Sequence, residues 1–328
     1  MLASWLTPIL DAEGLAYPFA NLGKLLDQAD LRIFNLEAPF ADNGIPFNKK
    51  FTFRVPLRHA GVLKAAGINA VNLANNHILD YGPAALQSTL RVLDSLQVYH
   101  FGAGQNAHCA CRPVFVHVRN TKVALLGYSL TFPKEFYARA DKPGTCYGHA
   151  FRVAEMVRAA VDSGALVIVS FHWGTELRET PRRYQRDLAH VAVDAGASLV
   201  LGHHPHVLQG LELYKGKLIA YSLGNFIFAS YSDRARDSGV LKVQLVGSRV
   251  IAAQFIPLDV WNKRVAFQPR VAQGRHASRI LEHLDALSRP LNNGHSILTT
   301  GGEIRLRATK FTGNRSARRS ATVQATVH

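Results

Sequence analysis

No run of about 18 apolar residues occurs in the 328-residue chain, so no membrane-crossing helix is expected. The opening Met1-Leu2-Ala3-Ser4-Trp5-Leu6 lacks a basic n-region and a full apolar core, and no signal peptide is expected from it. Cysteine is scarce. Cys109, Cys111 and Cys146 cannot all pair within the chain, and Cys109 and Cys111 flank a single residue. A disulfide scaffold is therefore not expected, nor a cysteine-built metal site, which would need a second cluster. Acidic residues are also few: 23 Asp and Glu against 38 Lys and Arg leave a net charge of +15. That balance suits an acidic partner such as a polyanionic polymer, nucleic acid or a membrane surface. The alternative is a basic background or tail, and Arg315, Arg318 and Arg319 lie in a Ser/Thr/Ala-rich end of solvated character. Aromatic and basic residues are not interleaved as in single-strand-binding proteins, which argues against a nucleic-acid enzyme. No internal repeat is evident.

What the chain has is apolar strand-like segments that end in polar residues. Ser198-Leu199-Val200-Leu201 runs into Gly202-His203-His204-Pro205-His206. Imidazole is the commonest protein ligand for zinc and similar ions, and an H-x-H pair just past a strand puts two rings on one side of a loop. Leu166 to Phe171 ends in His172, Ala70 to Leu73 in Asn75-Asn76-His77, and Leu31 to Leu36 in Asn35 and Glu37. Alone, each has a plain structural explanation: Glu37 as a cap, the asparagines as turn residues, a buried histidine as a hydrogen-bonded core residue. Four strand ends carrying ligand-type residues point instead to a shared site.

Between these strands the 3.6-residue periodicity predicts helices at 18–30, 57–66, 83–96, 151–162 and 181–195. Residues 114–118 and 122–128 read as a hairpin, and 130–149 as an irregular insertion. Segments 218–223, 240–245 and 250–258 read as consecutive strands. Strands alternating with helices, then strands in series, predict an α/β fold of two packed sheets between helical layers. Residues 1–275 form the predicted domain and 276–328 a loosely structured basic tail.

Glu37, Asn76, His77, His172, His204 and His206 together offer a carboxylate, an amide and several imidazoles. That mixture suits two divalent ions, Mn, Zn or Fe, with a water between them. His77 is a candidate ligand or a proton donor and oxyanion stabiliser.

Asn35-Leu36-Glu37-Ala38-Pro39, NLANNHILDYG at 72–82, HWGTE at 172–176, GHHPHVLQG at 202–210 and YSLGNFIF at 221–228 resemble, in order, the CapA family of bacterial poly-γ-glutamate capsule synthesis proteins. These are relatives of the calcineurin-like metallophosphoesterases. The resemblance covers residues 17 to 260. It implies a metallophosphatase-like four-layer sandwich, two β-sheets flanked by α-helices, with a dinuclear metal site between strand ends. Glu37 then stands at the bridging carboxylate, Asn76 and His77 at the asparagine–histidine element, His172 at the next ligand, and His204 and His206 at the final H-x-H. His203 receives no ligand role. Glu176 and Asn225 fall in motifs that line the substrate pocket. Family members usually begin with a strand ending in Gly-Asp. None precedes Tyr17, so the first strand and its ligand are expected to be missing, leaving a gap in the sheet. The membrane anchor of some relatives is not seen either.

The implied function is a metal-dependent hydrolase in capsule or poly-γ-glutamate production, acting on a phosphoester or amide alongside the capsule-synthesis machinery. The competing expectation is a non-catalytic component that holds an anionic polymer during assembly or export.

Overall fold

A computed structural model describes residues 2–246, 249–306 and 321–326. Its central strands follow from the apolar runs. Every residue of Leu166–His172 and Leu199–His203 is buried, as expected for parallel strands covered on both faces. Their side chains alternate. Leu166, Ile168, Leu199 and Leu201 point into one core, and Val167, Val169 and Val200 into another.

Two large sheets result. The first has seven strands, in the order 270–271, 249–259, 237–246, 321–326, 31–35, 70–72 and 99–101. The second has six, in the order 208–214, 217–223, 199–203, 166–172, 121–129 and 114–118. Leu31 and Ile33 of the first meet Leu166, Leu199 and Leu218 of the second in the core between the sheets. On the outer face of the first sheet, Phe34 and Val71 pack with Leu63, Leu86 and Leu93. On the outer face of the second, Val153 and Val157 of helix Ala150–Asp162 and Leu188 and Ala192 of helix Arg183–Asp194 cover Val167 and Ile219. This is the four-layer metallophosphatase-like sandwich. Among the described residues no helix is long and apolar enough to cross a membrane.

Three expectations need correction. The region beyond residue 275 is not uniformly loose. Helix Gly274–Ser288 buries Ile280, Leu281 and Leu284, whose spacing places them on one face against the sandwich core. The expected gap beside strand Leu31–Asn35 is filled: strand Ala321–Thr326 pairs parallel to it and antiparallel to Asp237–Val246. Arg315, Arg318 and Arg319 lie outside the described residues. Third, Cys111 and Cys146 form a disulfide. The short antiparallel pairing of Ala103–Gly104 with Gly144–Thr145 brings the two Cα atoms to 5.0 Å, a contact that spacing along the chain does not reveal.

The predicted helix at 18–30 is broken into a 3-10 turn, Tyr17–Phe19, and a single turn, Gly23–Leu26. Strand Leu208–Tyr214, which forms a hairpin with Lys217–Leu223, was not foreseen. Neither change alters which strand ends meet.

Candidate metal centre

Parallel strands from both sheets deliver polar residues at their C-terminal ends, where open α/β sheets place ligands. Glu37 follows Leu31–Asn35, and Asn75-Asn76-His77 follows Ala70–Asn72. His172 closes Leu166–His172, His204 and His206 follow Leu199–His203, and Asn225 follows Lys217–Leu223.

The side chains converge. His172 Nε2 and His206 Nε2 lie 3.5 and 3.9 Å from Glu37 Oε1. Glu37, His204 and His206 each offer a ligand atom, all within 4.8 Å of one another. Asn76 Oδ1 is 2.8 Å from His172 Nε2, and the His172 and His204 rings are 4.8 Å apart.

Local backbone explains the two-ring loop. His204 and His206 have φ of 95° and 59°, the left-handed region that glycine usually fills. Holding non-glycine residues there costs on the order of 1–3 kcal/mol each. Gly202, by contrast, has no alternative: a Cβ there would run into the Tyr221 carbonyl and the Trp173 ring nitrogen.

Neighbouring groups set the tautomers. His206 Nδ1 donates to Asn225 Oδ1 at 2.9 Å, which leaves its Nε2 lone pair toward Glu37. The Asn35 amide donates to Glu37 Oε2 at 3.3 Å and lies 3.4 Å from His172 Nδ1. Asn35 Oδ1 in turn accepts from Asn72 and Asn75, at 3.3 and 3.5 Å. His203 turns away, its Nε2 2.6 Å from Ser170 Oγ.

His77 lies beside these donors and is held differently. Its Nδ1 donates to Asp80 Oδ2 at 2.7 Å, its backbone N–H donates to Asn75 Oδ1, and the Phe53 ring packs 4.6 Å away. Asp80 also accepts from the Phe53 backbone N–H at 2.7 Å and ion-pairs with Lys49 Nζ at 2.5 Å. Lys49 Nζ reaches the Asn76 carbonyl as well. Lys49 and Asp80 were not singled out from sequence. Asp80 stands three residues after His77, a spacing that gave a signal; Lys49 sits in a loop read only for its turns.

Burial dominates the electrostatics. It pushes the Glu37 carboxyl up to about 8 and pulls His206 down to about 4 and His203 to about 3. His172 and His204 are held well below the usual histidine value, and His77 below it, by the same burial. The cluster is thus a nest of neutral imidazoles around a carboxyl group. Glu37 Oε1, fully buried, has no hydrogen-bond donor among the described residues. A carboxylate oxygen, imidazole nitrogens and an amide oxygen form a donor set that fits Mn, Zn or Fe.

The remaining expected residues border the site. Asn225 is buried and held against His206, and Glu176 is exposed on the loop after His172 and lines two clefts, one reaching His77 and His206 and the other Asn76 and His204.

A family model described as "Bacterial capsule synthesis protein PGA_cap" matches residues 1–230. The chain is 30% identical over 268 residues to "Capsule biosynthesis protein CapA" of Bacillus anthracis, covering 79% of this chain and 65% of that protein. It is 29% identical over 263 residues to "PGA biosynthesis protein CapA" of Bacillus subtilis (strain 168), covering 79% and 69%. Among solved structures, a hypothetical protein from Thermus thermophilus superposes with a TM-score of 0.49 at 18% identity, over 75% of this chain and 94% of that one. With the family match extending over most of its length and the strand-end residues of that match gathered at one point, the chain belongs to the bacterial capsule synthesis protein family PGA_cap.

Proposed function

We propose that the chain is a CapA-type capsule or poly-γ-glutamate biosynthesis protein working as a divalent-metal-dependent hydrolase. Glu37 carries this reading. Its Oε1 is buried, has no hydrogen-bond donor among the described residues, and faces imidazole nitrogens at 3.5 and 3.9 Å. A carboxylate in such a place is stable only beside a cation, and among the described residues no lysine or arginine ion-pairs with it.

Glu37, Asn76, His172, His204 and His206 would hold Mn, Zn or Fe, with two ions as the expected number. Such ions supply Lewis acidity and lower the pKa of a water that serves as nucleophile. The protein's own groups do the rest. Asn225 fixes His206 with Nε2 toward Glu37. Asp80 engages Nδ1 of His77, which leaves Nε2 as the ring nitrogen able to take a proton from the nucleophile and return it to the leaving group. The Asn76 amide would also bind the developing negative charge. Phosphoester and amide bonds both suit this arrangement, and the names of the capsule-synthesis relatives favour an anionic polymer as the setting.

The test is elemental analysis of purified wild-type and His204→Ala protein, together with hydrolysis of p-nitrophenyl phosphates and γ-linked glutamate polymer. Wild type should carry metal and lose activity to chelator, and the variant should carry none. Full function in a metal-free preparation would remove the reading. Polymer binding that falls steeply with salt but ignores chelator would instead support a non-catalytic binding component, which the charge of +15 favours.

A further inference from the structure

Residues 130–149 leave strand Thr121–Ser129 at its C-terminal end as an irregular arch, whose longest regular element is the single turn Lys134–Phe136. Phe136 and Cys146 are its buried apolar side chains, too few for burial alone to offset the entropy of ordering a segment of this length. The Cys111–Cys146 disulfide ties its far end to helix Ala107–Cys111.

Two short runs of contacts lead from that bond to the candidate metal centre. In the first, the Ser129 N–H donates to the Cys146 carbonyl at 2.8 Å, and the next residue, Leu130, donates its N–H to the His172 carbonyl at 2.9 Å. In the second, the Thr145 carbonyl accepts from the Ala138 N–H at 2.9 Å, and the Thr145 hydroxyl donates to the Phe136 carbonyl at 3.2 Å. The centre of the Phe136 ring lies 5.0 Å from that of Phe47 and 5.2 Å from Lys49 Nζ. Lys49 in turn reaches the Asn76 carbonyl and pairs with Asp80, which holds His77. His172, Asn76 and His77 thus all lean on backbone that the cross-link anchors.

We propose that the Cys111–Cys146 disulfide is an assembly gate for the centre. The reduced chain folds its two sheets but leaves the arch and the 43–54 loop unfixed, and oxidation completes the metal-binding geometry, so that metal loading follows oxidation. The step is thiol–disulfide exchange. One cysteine thiolate attacks an external disulfide, a small one such as oxidised glutathione or that of an oxidoreductase, and the second displaces the resulting mixed disulfide. Two chain thiols are oxidised, and the oxidant leaves as two thiols with their protons. Once joined, Cys111 and Cys146 are 6% and 0% exposed, so the gate closes once per chain and does not cycle. This inference rests on the proposed metal centre but not on hydrolysis.

The experiment compares oxidised and dithiothreitol-reduced protein in a Cys109→Ser background, which removes the remaining thiol as a mispairing partner. Calorimetry reads Mn affinity, and mass spectrometry reads amide exchange in the metal-free protein. Loss of contacts that orient ligands weakens metal binding by about ten- to hundredfold, and reduction should weaken Mn by that factor. It should also speed exchange across 43–54, 75–80 and 130–149 while strand Leu199–His203 stays protected. Oxidised Leu284→Ala, weakened in the core beneath helix Gly274–Ser288, controls for lost stability and should keep the parent's Mn affinity. Equal Mn affinity or equal exchange in the two redox states overturns the proposal. So does an equal Mn loss in Leu284→Ala, or loss of protection in Leu199–His203 on reduction, since either makes the bond a general staple.

Turnover of p-nitrophenyl phosphates, measured alongside, separates the two ideas. Oxidation-dependent Mn binding without turnover sinks the hydrolase reading and leaves the gate standing. Turnover with Mn affinity equal in both redox states does the reverse, and an oxidised chain that binds no Mn, Zn or Fe sinks both.

Discussion

Glu37→Gln is expected to stabilise the metal-free protein while abolishing its stabilisation by metal. The carboxyl titrates near 4.5 in an unfolded chain and at about 8 in the fold, where burial disfavours its charge. Between those values the folded state binds a proton that the unfolded state has lost, so stability falls as pH rises through the window. At about 1.4 kcal/mol per pH unit, the cost reaches roughly 3 kcal/mol at pH 7 and levels off at about 5 kcal/mol above pH 8. Glutamine has the same shape and no charge, so it escapes this cost. The buried histidines have depressed values and contribute stability that is lost as pH falls below about 6.5. That term is common to both proteins and cancels in their difference. With metal the order reverses. A ligand at a hundred times its Kd adds about 2.7 kcal/mol to the wild type, and a neutral glutamine forfeits most of that. Urea unfolding after chelator dialysis, repeated between pH 5 and pH 8 with and without Mn, reads both effects. The reasoning fails if the metal-free variant is no more stable than wild type at pH 8, or if the difference between them does not change with pH.

Lys49→Met should destabilise the fold by about 3–5 kcal/mol in chemical denaturation, because it leaves the fully buried Asp80 without its cation. Restoring the charge with Lys49→Arg should recover part of that loss. Removing the Cys111–Cys146 bridge with a paired Cys→Ala substitution should cost about 4 kcal/mol, the loop-closure value for a separation of 35 residues, seen as a lower urea midpoint. Metal-free wild type should lose stability on acidification below about pH 6.5, since His172, His204 and His206 must take up protons to unfold; a flat profile between pH 6.5 and pH 4.5 would contradict the neutral-imidazole picture.

The parts of the fold legible in sequence are those where a local pattern decides the structure. Leu166 to Phe171 is a continuous apolar run because both of its faces are covered, and the 114–128 hairpin alternates because one of its strands is at an edge. Helix Gly274–Ser288 had a usable signal in Ile280, Leu284 and Leu287, spaced i, i+4 and i+7, but its polar face and its place after the last predicted strand masked it. Strand Leu208–Tyr214 was hidden for another reason. Gly210 breaks its apolar pattern, and it must be glycine because the Leu287 carbonyl of that same helix packs against it. Strand Ala321–Thr326 is the extreme case, since its partners are set by the whole sheet and nothing within six residues names them.

The centre divides along the same line. Residue type at a strand end is local information, and parallel strands with covered faces already require their C-terminal ends to share an edge, so convergence of Glu37, Asn76, His172, His204 and His206 followed from pattern and topology. What orients those groups did not. Asp80 acts on His77 from 3 residues away in sequence and is itself paired with Lys49 of a distant loop, and Asn225 acts on His206 from 19 away, each fixed by how loops fold back over the strand ends. An imidazole with one nitrogen held by a fixed acceptor presents the other in a single protonation state, whereas an unheld ring divides its population between two tautomers. If the histidines are the reactive parts of this site, their competence therefore depends on residues whose importance appears only in three dimensions. Substitution of Asp80 or Asn225 should then impair metal binding or turnover while leaving every candidate ligand in place.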